Sequence, residues 1–226
     1  MAPDKRALLL AGSPRYLSST SESLGSYLMD RLAEKGVLCE TRAVFSDMKD
    51  EKGRAALLSA VESADIVVLS CPLYVDSLPA QVIRALEMVA RERGKTGKDP
   101  EQWFCAMVNC GFPESRHNDT ALDTCRLFAR QGGFRWAGGL GLGGGEAIRG
   151  RSLYSAWWLT INVRRALNLA AEALVRGRPL PEKAGELFSR PLVPKQLYLW
   201  LGGIRWARDA RVQGGRGKLD DRPLGR

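Results

Sequence analysis

The 226-residue chain is 45% apolar, enough for one sizeable core and too much for disorder over most of its length. No run approaches the roughly 18 consecutive apolar residues that a bilayer crossing needs, so no membrane partner is expected. Of the net charge of +9, +5 lies between Pro191 and the end, where the arginines are interspersed with glycines rather than aligned on a helix face, so no nucleic-acid partner is expected either.

The first apolar run, Ala7-Leu8-Leu9-Leu10-Ala11, reads as a buried strand over 7–11, with Lys5-Arg6 before it but no convincing signal-peptide cleavage site after it. It leads into Gly12-Ser13-Pro14-Arg15-Tyr16-Leu17-Ser18-Ser19-Thr20 and then a helical pattern over 21–35, with Leu24, Leu28 and Leu32 at i, i+4, i+8 and Gly36 as its stop. A helix N-terminus carries unpaired N–H groups and the positive end of a dipole. The hydroxyls of Ser13, Ser18, Ser19 and Thr20 and the guanidinium of Arg15 add donors, so this loop is a candidate phosphate cradle. The plainer alternative is a strand, a turn and a capping serine.

Further strands are predicted at 38–44, 66–70, 103–109 and 134–142, with helices near 54–63, 79–93 and 121–131 between them. Ile66-Val67-Val68-Leu69 is a continuous apolar run, as a strand buried on both faces requires. Five such units predict an open parallel sheet covered on both faces, with right-handed crossovers and ligands outside the strands' carboxyl ends.

Two later loops strengthen the cradle. Pro72-Leu73-Tyr74-Val75-Asp76, continuing to Pro79, is a stiff apolar wall suited to a planar heterocycle, or else a loop folded onto its own helix. Asn109-Cys110-Gly111-Phe112 offers an amide, close backbone approach at Gly111 and a second aromatic ring. Together the three loops imply a mononucleotide with a flat ring.

Gly12-Ser13-Pro14-Arg15 with Ser18-Ser19-Thr20, Pro72-Leu73-Tyr74 and Asn109-Cys110-Gly111-Phe112 together resemble the NADPH-dependent FMN reductase family of flavodoxin-like proteins, over roughly residues 5 to 145. With no convincing cleavage site and no spanning run, a cytoplasmic protein is expected. The resemblance implies a doubly wound α/β sheet of order 2-1-3-4-5 and a homodimer. It also implies bound FMN, NADPH or NADH as transient reductant, and a small acceptor such as a quinone, flavin or nitro compound. By position it assigns Ser13, Arg15, Ser18, Ser19 and Thr20 to the phosphate. Pro72, Leu73, Tyr74, Val75 and Asp76, with Asn109, Cys110, Gly111 and Phe112, fall to the ring and ribityl chain. The family commonly has asparagine where Ser19 stands. No catalytic side chain and no metal ligand is implied, because the flavin would carry the redox chemistry. An electron carrier without NAD(P)H activity is an alternative, disfavoured by the basic charge; a flavin-free adaptor is another.

Three further features are weighed. Gly139-Leu140-Gly141-Leu142-Gly143-Gly144 fits G-x-G-x-x-G, but it follows the fifth strand and no Asp or Glu occupies 159–163, about 20 residues on. His117 reads as a surface residue or a proton relay. The five cysteines form no C-x-x-C pair, which argues for reduced, mostly buried thiols rather than a metal site or disulfides. Beyond the sheet, 143–155 is read as a mobile flap and 157–175 as a long helix, with Trp157 and Trp158 as core or dimer contacts. A helical pattern over 194–211 is weakened by Gly202-Gly203. The expected organisation is a flavodoxin-like domain over 1–178, a helical extension over 179–212 and a basic disordered tail over 213–226.

Overall fold

The computed structural model describes residues 5–15, 18–96 and 101–212; the expected tail over 213–226 lies outside them. Five strands, β1 (Arg6–Ala11), β2 (Leu38–Ala43), β3 (Ile66–Pro72), β4 (Trp103–Asn109) and β5 (Arg135–Leu142), pair in parallel in the order β2-β1-β3-β4-β5. The helices are α1 (Thr20–Ala33), α2 (Val44–Asp47), α3 (Glu51–Ser63), α4 (Ala80–Thr96), α5 (Asp119–Gln131), α6 (Ile161–Val175), α7 (Glu182–Phe188) and α8 (Lys195–Val212).

Alternation along the central strands divides the interior into two layers. Ala7, Leu9, Ile66, Val68, Cys105 and Met107 pack with Leu24, Leu28 and Leu32 of α1 and Val163, Ala166 and Leu167 of α6. Leu8, Leu10, Val67, Leu69, Phe104 and Ala106 face the other way, onto Leu57 and Val61 of α3, Val82 and Leu86 of α4, and Cys125 and Phe128 of α5. A strand buried on both faces gains from each side chain it carries, which is why these runs lack polar alternation. Strand order reverses between β1 and β3, so the loops leaving their carboxyl ends diverge there and open a crevice.

Three expectations are corrected. The segment 157–160 is not helical: the buried Thr160 hydroxyl donates to the carbonyls of Leu153 and Ala156, closing a compact turn from which α6 starts at Ile161. That turn leaves Trp157 and Trp158 61% and 65% exposed, so neither is a core residue. The region 143–155 is not a loose flap, because Ile148 and Leu153 are buried in the α1–α6 layer. Ala184, Leu187 and Phe188 of α7 are also buried in that layer, and the first compact unit comprises Met1–Leu192. The second unit, Val193–Arg226, contains α8, which runs unbroken through Gly202 and Gly203.

Burial decides the state of the thiols. It pushes the Cys105 thiol up to about 12, and burial, with a smaller contribution from Cys105, pushes Cys125 up to about 12. Between the ordinary thiol value of about 8.5 and these raised values, the unfolded chain has lost protons that the folded chain keeps, so stability falls as pH rises. In urea denaturation from pH 8 to 11, each thiol should contribute a decline of about 1.4 kcal/mol per pH unit. Replacing Cys105 and Cys125 by Ala should flatten that alkaline decline while lowering stability at neutral pH; an unchanged slope would contradict it.

Candidate functional site

The crevice is built where α1 begins. Gly12 N–H donates to the Ser70 carbonyl at 2.8 Å, holding the chain beside β3 as it leaves β1. Ser13 is buried and its Oγ accepts from Arg15 N–H at 3.3 Å, while Ser18 N–H donates to the Arg15 carbonyl at 3.0 Å. Arg15 and Ser18 face solvent. Ser19 caps α1: its Oγ accepts from Glu22 N–H at 3.1 Å. The N–H groups of Thr20 and Ser21 stand in the first turn, where a helix has no internal partner for them. Glu22 is in the same turn; burial raises its carboxyl above the ordinary range, against the lowering effect of the Ser26 hydroxyl.

The hydroxyls proposed as one donor set divide by role. Ser19 Oγ is used by its own helix, and Thr20 Oγ1 donates to the Gly145 carbonyl at 2.8 Å. Ser21, which the sequence reading missed, donates to Asn109 Oδ1 at 2.7 Å, and its carbonyl accepts from Ser70 Oγ at 2.7 Å. All three of these residues are buried, so one polar chain links the ends of β3 and β4 through the first turn of α1. Gly145 N–H donates to the Cys110 carbonyl, and Gly144 N–H to that of Phe112, binding the loop after β5 to the loop after β4. Leu73 N–H donates to the Asn109 carbonyl, joining the loops after β3 and β4. A Cβ on Gly150 would lie 2.5 Å from the Ser18 carbonyl carbon, and its φ of +67° suits glycine alone, so the far end of the β5 loop rests directly on the cradle.

The loop after β3 folds as a tight hairpin, Tyr74 and Ser77 exchanging backbone hydrogen bonds across Val75 and Asp76. Both central residues have positive φ, 49° and 56°, where Asn-Gly would be usual, and Val75 is 99% exposed. Tyr74 is partly exposed beside it, and Pro72 closes β3 opposite Asn109. Across the crevice Phe112 is exposed and stacks on His117, ring centres 4.5 Å apart, while His117 Nε2 lies 3.8 Å from Glu114. At Gly111 a Cβ would meet only Glu146, at 3.9 Å, so the backbone there is open. Cys110 is buried, accepts from Asn118 Nδ2 at 3.5 Å, and is pushed up by burial, so it is a packing residue rather than a reactive thiol.

The glycines within β5 serve packing. A Cβ on Gly139 would lie 2.9 Å from Leu122 Cδ2, so that glycine lets α5 approach the sheet, and β5 is followed by a short 3-10 turn, Gly145–Ala147, not a phosphate-binding helix. Arg151 donates to the carbonyls of Ile148 and Ala147 in its own loop.

Residues 6–108 match the family of NADPH-dependent FMN reductases, which covers the cradle and the hairpin and ends one residue short of Asn109. No curated protein matches the chain. Among solved structures it is similar to an FMN-dependent NADH-azoreductase from Bacillus anthracis in complex with FMN (14% identity, TM-score 0.55, covering 75% of this chain and 99% of that one). It is also similar to an NAD(P)H:quinone oxidoreductase from Methanothermobacter marburgensis (14%, 0.55, 74% and 96%) and a flavone reductase (14%, 0.57, 80% and 70%). At such identities the likeness shows a shared flavodoxin-like fold.

The division of hydroxyls is testable by urea denaturation. Ser21→Ala should cost about 1–3 kcal/mol by stranding the buried Asn109 oxygen, and Ser19→Ala about 1 kcal/mol as a lost cap. Ser18→Ala should stay within about 0.5 kcal/mol. Equal costs for Ser18 and Ser21 would contradict the assignment.

Proposed function

We propose that this chain, whose residues 6–108 carry the pattern of NADPH-dependent FMN reductases, is an FMN-dependent NAD(P)H oxidoreductase that passes reducing equivalents to a small acceptor. The observation that supports this reading is that the α1 N-terminus with the exposed Arg15 and the apolar hairpin follow the carboxyl ends of the adjacent strands β1 and β3.

The residues fit the cofactor in chemical type. Arg15, Ser18 and the first-turn N–H groups would take the phosphate, as charge-assisted donors at a helix start do. Ser13 and Ser19 accept backbone N–H groups and keep their O–H donors for the phosphate, whereas Thr20, whose hydroxyl donates to the Gly145 carbonyl, would support the cradle from behind. Pro72, Leu73, Tyr74, Val75 and Asp76 would wall the ring on one side, with Asn109, Cys110, Gly111 and Phe112 on the other. Asn109, fixed by Ser21, would present its amide in one orientation, and Gly111 would let backbone approach the ring edge. When bound, FMN supplies the redox chemistry, accepting a hydride equivalent from a reduced nicotinamide and releasing electrons to the acceptor. The side chains bind, orient and exclude water; none is needed as a nucleophile. The exposed Tyr74, Val75 and Phe112 favour a flat, largely apolar acceptor such as a quinone, with flavins and nitro compounds in the same class. We further infer a cytoplasmic homodimer, which the exposed Trp157 and Trp158 of the main unit would suit.

Added FMN should be retained on gel filtration, and anaerobic NADPH or NADH should bleach its yellow absorbance. Protein-bound flavin that stays yellow would instead favour an electron carrier, and a chain that ignores FMN an adaptor. Arg15→Ala with Ser18→Ala should weaken FMN binding by about 2–4 kcal/mol, for one charged and one neutral hydrogen bond, and leave the urea midpoint unchanged. Undiminished affinity would place the phosphate elsewhere.

A further inference from the structure

The second unit shows an apolar surface that the redox reading does not use. None of the residues of α8 is buried, and Leu197, Leu199, Trp200, Leu201, Ile204 and Trp206 are all exposed, the two tryptophans by 63% and 73%. Leu197-Tyr198-Leu199-Trp200-Leu201 is an unbroken aliphatic and aromatic run. At 3.6 residues per turn such a run encircles the helix axis rather than forming one stripe. A protein groove covers a stripe; an end that is apolar all round suits an apolar liquid.

Charge points to the same occupant. Arg208 and Arg211 follow the apolar end within α8, and Val193–Arg226 carries eight Lys or Arg, all but Lys195 after the Leu197–Leu201 run, against three Asp, a net +5. Tryptophan and tyrosine place an apolar body and a polar tip at a membrane–water boundary, and arginine stems can lie along apolar surface with their heads in the headgroups. The ten residues 197–206 span about 15 Å at 1.5 Å per residue, about half of a hydrocarbon core of roughly 30 Å. No described helix is long and apolar enough to cross a membrane, so α8 could lie in the interface but not span it.

We propose that α8 docks the chain on an anionic lipid bilayer, its apolar end entering the headgroup–acyl boundary while Arg208 and Arg211 meet the lipid charge. This sets aside the expectation of no membrane partner, which rested on the lack of a spanning segment. The inference stands on α8 alone and is independent of flavin binding.

The test is co-sedimentation of the full chain with vesicles of phosphatidylcholine alone or mixed with phosphatidylglycerol, alongside tryptophan emission. Binding to the mixed vesicles should be at least about tenfold stronger, with a blue shift, and should weaken with salt. Trp200→Ser with Trp206→Ser keeps every charge and alters only exposed positions, so its urea midpoint should hold while vesicle binding falls about tenfold or more. Equal binding to both vesicle types, or undiminished binding by the double variant, would overturn the proposal. So would self-association that needs these tryptophans with no vesicle binding at all.

Discussion

The site depends on one buried hydrogen-bonded chain. Ser70 Oγ donates to the Ser21 carbonyl, and Ser21 Oγ donates to Asn109 Oδ1, so the first turn of α1 is tied to the ends of both β3 and β4. Polar groups removed from water are costly unless paired, and once paired in a low-dielectric interior they are also stiff. Here that stiffness is placed under the crevice. The Thr20 hydroxyl extends the tie to the loop after β5 through the Gly145 carbonyl, and Gly150 brings the same loop down onto Ser18. Four loops distant in sequence are thereby held in one arrangement before any ligand arrives, which is the condition for tight binding without a large ordering cost.

This frame also explains the division of labour. Side chains that hold the loops together are buried and already bonded: Ser13, Ser19, Thr20, Ser21, Asn109. Those that face solvent are Arg15, Ser18, Tyr74, Val75 and Phe112. Val75 is the outlier among them. A β-branched residue at positive φ with its side chain in solvent gains nothing from packing, so the hairpin retains backbone strain next to the crevice.

Much of the fold was legible because burial writes itself into composition. The strands carry continuous apolar runs, and α1, α4 and α5 carry helical stripes, so strand order followed once the family resemblance was recognised. The cradle was legible as a segment but not residue by residue. Five neighbouring hydroxyls and a guanidinium look alike in sequence, and nothing local shows that Ser19 faces its own helix, that Thr20 reaches a carbonyl 125 residues away, or that Ser21 reaches Asn109, 88 residues away. The start of α6 failed for the same kind of reason: the turn over 151–160 is fixed by the Thr160 hydroxyl, whereas Trp157 and Trp158 mimic helical periodicity. In α8 the glycine pair weakens the helical pattern without breaking it, since a helix propensity penalty of about 1 kcal/mol per glycine is a weak prior.

The central claim, that the α1 N-terminus with Arg15 and Ser18 receives a flavin phosphate, is tested most directly by comparing FMN with riboflavin, which has the same ring and ribityl chain without the phosphate. Titration followed by flavin fluorescence should give FMN an affinity more than about 100-fold higher, as one charge-assisted contact plus backbone donors would provide at about 1.4 kcal/mol per decade. Equal affinities for the two molecules would contradict the account.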